Sequence, residues 1–132
     1  MNKLLSPAPV WPESGLAFVR IVVGIFMVLH GFEIFDRELM KSYLTWMSAP
    51  LSMIYIGKAA ELIAGMLLTI GLFTRLASII LTGTMLYISL FVGKGRIWYE
   101  DQHPFMFVLF GILFFFLGAG RFSVDHLLFK KK

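Results

Sequence analysis

The stretch PLSMIYIGKAAELIAGMLLTIGLF, residues 50–73, decides the fold. Within it only Lys58 and Glu61 are charged, one helical turn apart. A helix of about 20 apolar residues crosses a hydrocarbon core of about 30 Å. A charged side chain at that depth costs about 2.5–3.5 kcal/mol on insertion scales, which makes Glu61 a functional candidate in need of a partner. Arg20 interrupts an earlier apolar stretch in the same way. Three such charges standing alone would cost about 7–10 kcal/mol, so the pattern predicts a shared polar interior.

Composition agrees with a membrane setting. Of 132 residues 58% are hydrophobic and 15% charged, with a mean hydropathy of +0.81; soluble domains run at about 45–50% apolar. So small and apolar a chain is expected to form one membrane domain over residues 1–132, in contact with the lipid bilayer. Cysteine is absent, which excludes disulfides, thiol catalysis and thiolate-held zinc or iron–sulfur clusters within the chain. No metal site is expected. The net charge of +4 has no basic stripe interleaved with aromatics, so it reads as topology and nucleic acid is not a partner.

Four spans follow, at about 16–35, 51–73, 76–92 and 105–118, giving an all-α, integral membrane four-helix transmembrane bundle. Pro7, Pro9, Pro12 and Glu13 break the start of a signal-peptide pattern, and no small-residue cleavage site follows, so the first apolar run reads as a true span. Residues 36–49 are polar and aromatic, with Tyr43 and Trp46 suited to an interface and room for a short surface helix. Only Thr74 and Arg75 separate the second span from the third, which forces a tight hairpin. Trp98 and Tyr99 mark another interface. Both termini then share one side. That side carries Lys3, Arg75, Arg121 and Lys130–Lys132, against Arg37, Lys41, Lys94 and Arg96 on the other, which predicts cytoplasmic termini.

At about 1.5 Å per residue, Arg20 lies about 6–9 Å above the cytoplasmic boundary and Glu61 about 16–18 Å, within reach of a long side chain. Lys58 and His30 lie at about 21–24 Å, with His103 near the outer end of the fourth span. Gly57, Glu61 and Gly65 share one helix face, and Arg20, Gly24, Met27 and Gly31 another. Packing these glycine stripes together is expected to bring Arg20 toward Glu61. The alternative is neutralisation of Glu61 by Lys58 within one helix. In either form the pair serves equally well simply to hold the bundle together.

Arg20, Gly24 and His30-Gly31, then Ala60-Glu61, Gly65, Gly71 and Thr74-Arg75-Leu76-Ala77, then Gly118-Ala119-Gly120-Arg121-Phe122-Ser123-Val124-Asp125, resemble the DoxX family in order and spacing. The resemblance runs from about Phe18 to Asp125 and implies a small four-helix membrane protein. It carries over onto Arg20, Glu61, Arg121 and Asp125, and more loosely onto Glu100. A lysine that often follows the His-Gly pair in that family is missing here, where Glu33 and Ile34 stand. The terminal motif also has a purely structural reading. Gly118 and Gly120 end the fourth helix, Arg121 complements its negative pole, and Ser123 caps a short interfacial helix with Asp125 in its first turn.

The resemblance further implies a subunit of a quinone-linked oxidoreductase of the thiosulfate:quinone type in the bacterial inner membrane. Quinone is the expected cofactor. An apolar slot with donors and a proton source suits it, and Arg20, His30, Lys58, Glu61 and His103 are the polar-core and ligand candidates. No catalytic residue is assigned. Haem held by His30 and His103 is the disfavoured alternative, since two interfacial histidines are far commoner. A chain without cysteine or a nucleotide-binding loop would have to hold the quinone itself or depend on another redox subunit, and a redox or other membrane-protein partner and a second copy are both compatible. Two other classes stand beside this one: a non-enzymatic scaffold or assembly partner, and a small carrier or proton path along the polar file.

Overall fold

A computed structural model describes residues 5–46, 50–92 and 102–129, with side chains described except at 43–46, 91–92 and 102–103. The interfacial roles of Tyr43, Trp46, Trp98 and Tyr99, and the places of Glu100 and the His103 side chain, lie outside the described residues. Helix α1 (Pro12–Gly31) passes through a 3-10 turn, Phe32–Phe35, into α2 (Arg37–Trp46). Next come α3 (Leu51–Ile70), α4 (Thr74–Tyr87) with a π-helical turn Ile88–Val92, α5 (Gln102–Leu117) and the short α6 (Val124–Phe129). Among the described residues there is no strand.

Two segments, Pro12–Phe35 and Leu51–Ile70, are long and apolar enough to cross a bilayer, while Thr74–Leu90 and Pro104–Leu117 are apolar but shorter. Pro12 occupies the first turn of α1, where a missing N–H costs nothing, so the helix starts earlier than the proline-rich lead suggests. The surface helix expected in residues 36–49 is α2. The hairpin after α3 departs from expectation. Gly71 ends α3 in the left-handed region at φ 74°, and the next helix already begins at Thr74, so the turn is Gly71–Phe73.

Packing follows the order α1, α3, α4, α5, with little contact between α1 and α5. Met27, Leu68, Ala77, Leu81, Met85 and Phe114 fill the centre. Phe18, Ile56, Ile79 and Phe116 point outward and are exposed, leaving an apolar outer surface of the kind lipid covers. Gly24 and Gly65 set the closest approach of α1 to α3. A Cβ on Gly65 would lie 2.6 Å from Val28 N, and one on Gly24 2.6 Å from Thr69 N. Only bare backbones fit at that separation.

Candidate functional site

The two glycine stripes meet, but in a register that separates the charges. Gly24 faces Gly65 and Thr69, and Gly31 faces Leu62. Running antiparallel, α1 therefore places Arg20 beside Gly71 and the end of α3. Seven residues, about 10 Å of helix, separate Leu68 from Glu61. The cross-helix pair between Arg20 and Glu61 does not form.

Arg20 is 1% exposed and spends its guanidinium on three carbonyls. Nε donates to Leu68 O at 3.0 Å, Nη1 to Ala119 O at 2.5 Å and Nη2 to Phe122 O at 2.9 Å. Leu68 O belongs to the last turn of α3, where carbonyls lack helical partners. One side chain thus joins α1, α3 and the segment after α5.

Asp125 completes this end of the bundle. Its Oδ1 accepts from Phe73 N–H at 2.7 Å and its Oδ2 from Thr74 N–H at 2.8 Å, capping α4 from 51 residues away. In return Asp125 N–H donates to Gly71 O at 2.8 Å. The carboxylate also interacts electrostatically with Arg20. Ser123 Oγ accepts from His126 N–H at 3.2 Å, capping α6, and donates to Gly120 O at 2.7 Å. Gly118 and Gly120 adopt φ of 74° and 81°. Arg121 N–H donates to Glu13 Oε2 at 2.6 Å, and its guanidinium lies 5.7 Å from the Phe122 ring centroid. Arg20, Arg121, Ser123 and Asp125 form one polar lock whose hydrogen-bond partners are mostly backbone.

A second polar cluster sits nearer the other end of α3. Lys58 Nζ lies 2.7 Å from Glu33 Oε2 and 3.2 Å from Glu61 Oε2. Glu61 is 4% exposed and Glu33 partly so. Neutralisation by Lys58 within α3 is the arrangement found, extended to Glu33 on the turn after α1. His30, on the last turn of α1, is exposed but within electrostatic reach of Glu61. Among the described residues no group of three His, Asp or Glu could hold a metal ion.

This cluster borders a cleft of about 260 Å³ between α3 and α4. Gly57, Lys58 and Glu61 line it from α3, and Gly83, Thr84 and Tyr87 from α4. A Cβ at Gly57 or Gly83 would meet nothing within 4 Å, so these glycines widen the cleft and do not tighten a helix contact. Sequence reasoning treated Glu33 as a departure and passed over the α4 wall. The available signal was the spacing Gly83, Thr84, Tyr87, Ile88, one face of a helix turned toward the Gly57–Glu61 face. Chemically the cleft offers an ammonium donor, a buried carboxyl and a phenol within apolar walls.

Comparison with known proteins places this geometry. The DoxX family model matches residues 15–94, which takes in Arg20, Glu33, Lys58, Glu61 and both walls of the cleft but not the 118–125 motif. An "Uncharacterized protein" of Haemophilus influenzae is 31% identical over 88% of this chain and 92% of its own length. A Bacillus subtilis protein named "Putative oxidoreductase CatD" is 26% identical over 91% of each chain. No solved structure matches. The chain belongs to the DoxX family of membrane-associated proteins.

Proposed function

We propose that the chain is a four-span integral membrane subunit of a quinone-linked oxidoreductase, set in the bacterial inner membrane with both termini cytoplasmic, and that the cleft between α3 and α4 receives the quinone head. The observation that carries this reading is a buried Lys58–Glu61 pair in the wall of an otherwise largely apolar cleft. Membership of the DoxX family and the name of the Bacillus relative support it. At about 260 Å³ the cleft is near the lower end of ligand sites, which start at about 300 Å³. It therefore suits a ring headgroup, with the tail along the lipid-facing surface beyond Met53 and Ile56, both exposed at the rim.

A bound quinone supplies two-electron, two-proton carrier chemistry. Lys58 would hold a quinone carbonyl oxygen by hydrogen bond, Glu61 would hold or accept a proton at its carboxyl, and Tyr87 would bound the head from the α4 side. Ile54, Met53 and Ile88 keep water from the ring face. Electrons would come from a partner redox subunit, since a chain without cysteine cannot itself hold a cysteine-bound iron–sulfur cluster.

The test is ligand content. Full-length protein purified in mild detergent should carry quinone, extractable into organic solvent and detected by mass spectrometry. Gly83→Leu should lose most of it while melting no lower than the wild type, since the added side chain fills only the cleft. Quinone-free wild type, with Glu61→Gln preventing co-purification of a membrane partner, would replace this reading with the scaffold. The basal lock, which joins helices through backbone groups, is the observation on that side.

A further inference from the structure

At the end of the bundle that carries the basal lock, a second groove of about 470 Å³ lies between the α3–α4 turn and α6. Phe73, Thr74, Arg75, Asp125, His126 and Phe129 give it its chemistry. Arg75 uses Nε on Phe115 O at 3.1 Å, which lays its guanidinium over the end of α5 beside Gly118. Among the described residues its Nη donors have no protein acceptor. Thr74, in the first turn of α4, is 1% exposed, and its Oγ1 has no hydrogen-bond partner among the described residues. His126 is half-buried on α6, across the groove, with its ring nitrogens unused by described residues. Asp125 does not cancel these groups. Both of its oxygens are engaged by the N–H groups of Phe73 and Thr74, and Arg20 offsets part of its charge.

The groove therefore offers side-chain donors from Arg75, Thr74 and His126, beside a helix start whose own first N–H groups Asp125 already caps, and such donors suit phosphate oxygens. Its rim is apolar. The Phe73 and Phe129 rings stand 6.2 Å apart and are 49% and 63% exposed. A free anion gains nothing from such a rim, whereas an amphiphile covers it. Arg75 lies on the same side as Arg121, so a second negative charge is favoured over a headgroup amine.

We propose that this groove binds the phosphate headgroup of an anionic phospholipid, with Arg75 and His126 holding the phosphate oxygens and Phe73 and Phe129 lying along the glycerol and first acyl carbons. The proposal rests on the bilayer part of the functional reading and is independent of quinone. An Arg guanidinium suits paired phosphate oxygens, and the Thr74 hydroxyl is placed to add a donor.

The test uses delipidated full-length protein in detergent, titrated with phosphatidylglycerol, phosphatidylcholine or inorganic phosphate and read by native mass spectrometry and thermal shift. A one-to-one phosphatidylglycerol adduct is expected, held about tenfold more tightly than phosphatidylcholine. His126→Gln, which keeps every hydrogen bond described for that residue, and Arg75→Gln should each remove most of that preference, and Arg121→Gln should leave it intact. Equal binding of the two lipids would overturn the site. So would an equal loss with Arg121→Gln, which would mean diffuse charge attraction. Inorganic phosphate competing at equal concentration would make the ligand a free phosphate. Flotation with phosphatidylcholine vesicles separates the two failures. Protein that floats without a headgroup preference refutes only this site, and protein that does not float refutes the bilayer reading.

Discussion

Replacing Arg20 with methionine tests the basal lock most directly. The guanidinium makes three charge-assisted hydrogen bonds, two of them buried, to Leu68 O and Ala119 O, and one partly buried, to Phe122 O. Such bonds contribute about 1.5–3 kcal/mol each, so a simple total would reach about 4.5–9 kcal/mol. Phe122 lies in an exposed segment where water can replace the lost donor, whereas Leu68 O and Ala119 O stay enclosed. We therefore expect a loss of about 4–5 kcal/mol, at the upper end for single substitutions. For a chain of this size that lowers the melting temperature by about 12–25 °C. Circular dichroism melts in one detergent, at matched protein concentration, measure it. Arg20→Lys keeps the charge but loses the planar fork, and should fall about midway. A double variant, Arg20→Met with Glu61→Leu, should lose the sum of the two single losses within about 0.5 kcal/mol, because the two sites share no partner. Recovery of stability in that double variant would mean that Arg20 and Glu61 do pair, and the helix register described above would be wrong. An Arg20→Met protein melting within about 3 °C of wild type would refute the clamp itself.

Three further outcomes follow from the same geometry. Gly65→Val should prevent recovery of monodisperse protein by size-exclusion chromatography, because its Cβ would stand 2.6 Å from Val28 N, while Gly57→Val, with nothing within 4 Å, should elute normally. Lys58→Met should cost about 3–5 kcal/mol by leaving buried Glu61 without its cation, and Lys58→Met with Glu61→Leu should regain much of that in the same melts. Asp125→Ala removes the acceptor for two N–H groups at the start of α4 and should cost about 1–2 kcal/mol, with faster amide exchange at Phe73 and Thr74.

The helices were legible because hydropathy and length report them directly. Residues 51–70 form one helix as the apolar run demands, and Gly57, Glu61 and Gly65 do share a face. The partners of the charges were not legible. Glycine stripes state that two helices touch, but sliding one helix by a turn leaves the stripe intact and exchanges every polar neighbour. Here the slide carries Arg20 to the end of α3 and leaves Glu61 opposite the turn that bears Glu33. The start of α4 was hidden for a related reason. No residue near Phe73 caps it, and the cap arrives from Asp125 in a segment whose local pattern announces only its own short helix. The His30–Gly31 pair was readable as a glycine contact, since Gly31 meets Leu62, but His30 itself points outward.

The two polar layers differ in what they ask of their neighbours, and that difference separates folding from chemistry. In the basal layer Arg20 and Asp125 bond to backbone groups that exist whatever the side chains are, so their roles depend on shape, reach and charge at one place. In the upper layer Lys58 and Glu61 bond to each other beside open space, and the glycines flanking them are the ones that a Cβ would not disturb. A buried ion pair is weak support for stability, because its desolvation cost offsets most of its attraction. An arrangement that also leaves a cleft beside the pair gives up packing that the Gly57 and Gly83 positions could have supplied. Structure alone gives no return for that loss, whereas a ligand occupying the cleft would restore the missing contacts. Filling the cleft from the Gly83 side should therefore stabilise the empty protein slightly while removing its ligand, an opposite pair of effects that a purely structural role for Lys58 and Glu61 would not produce.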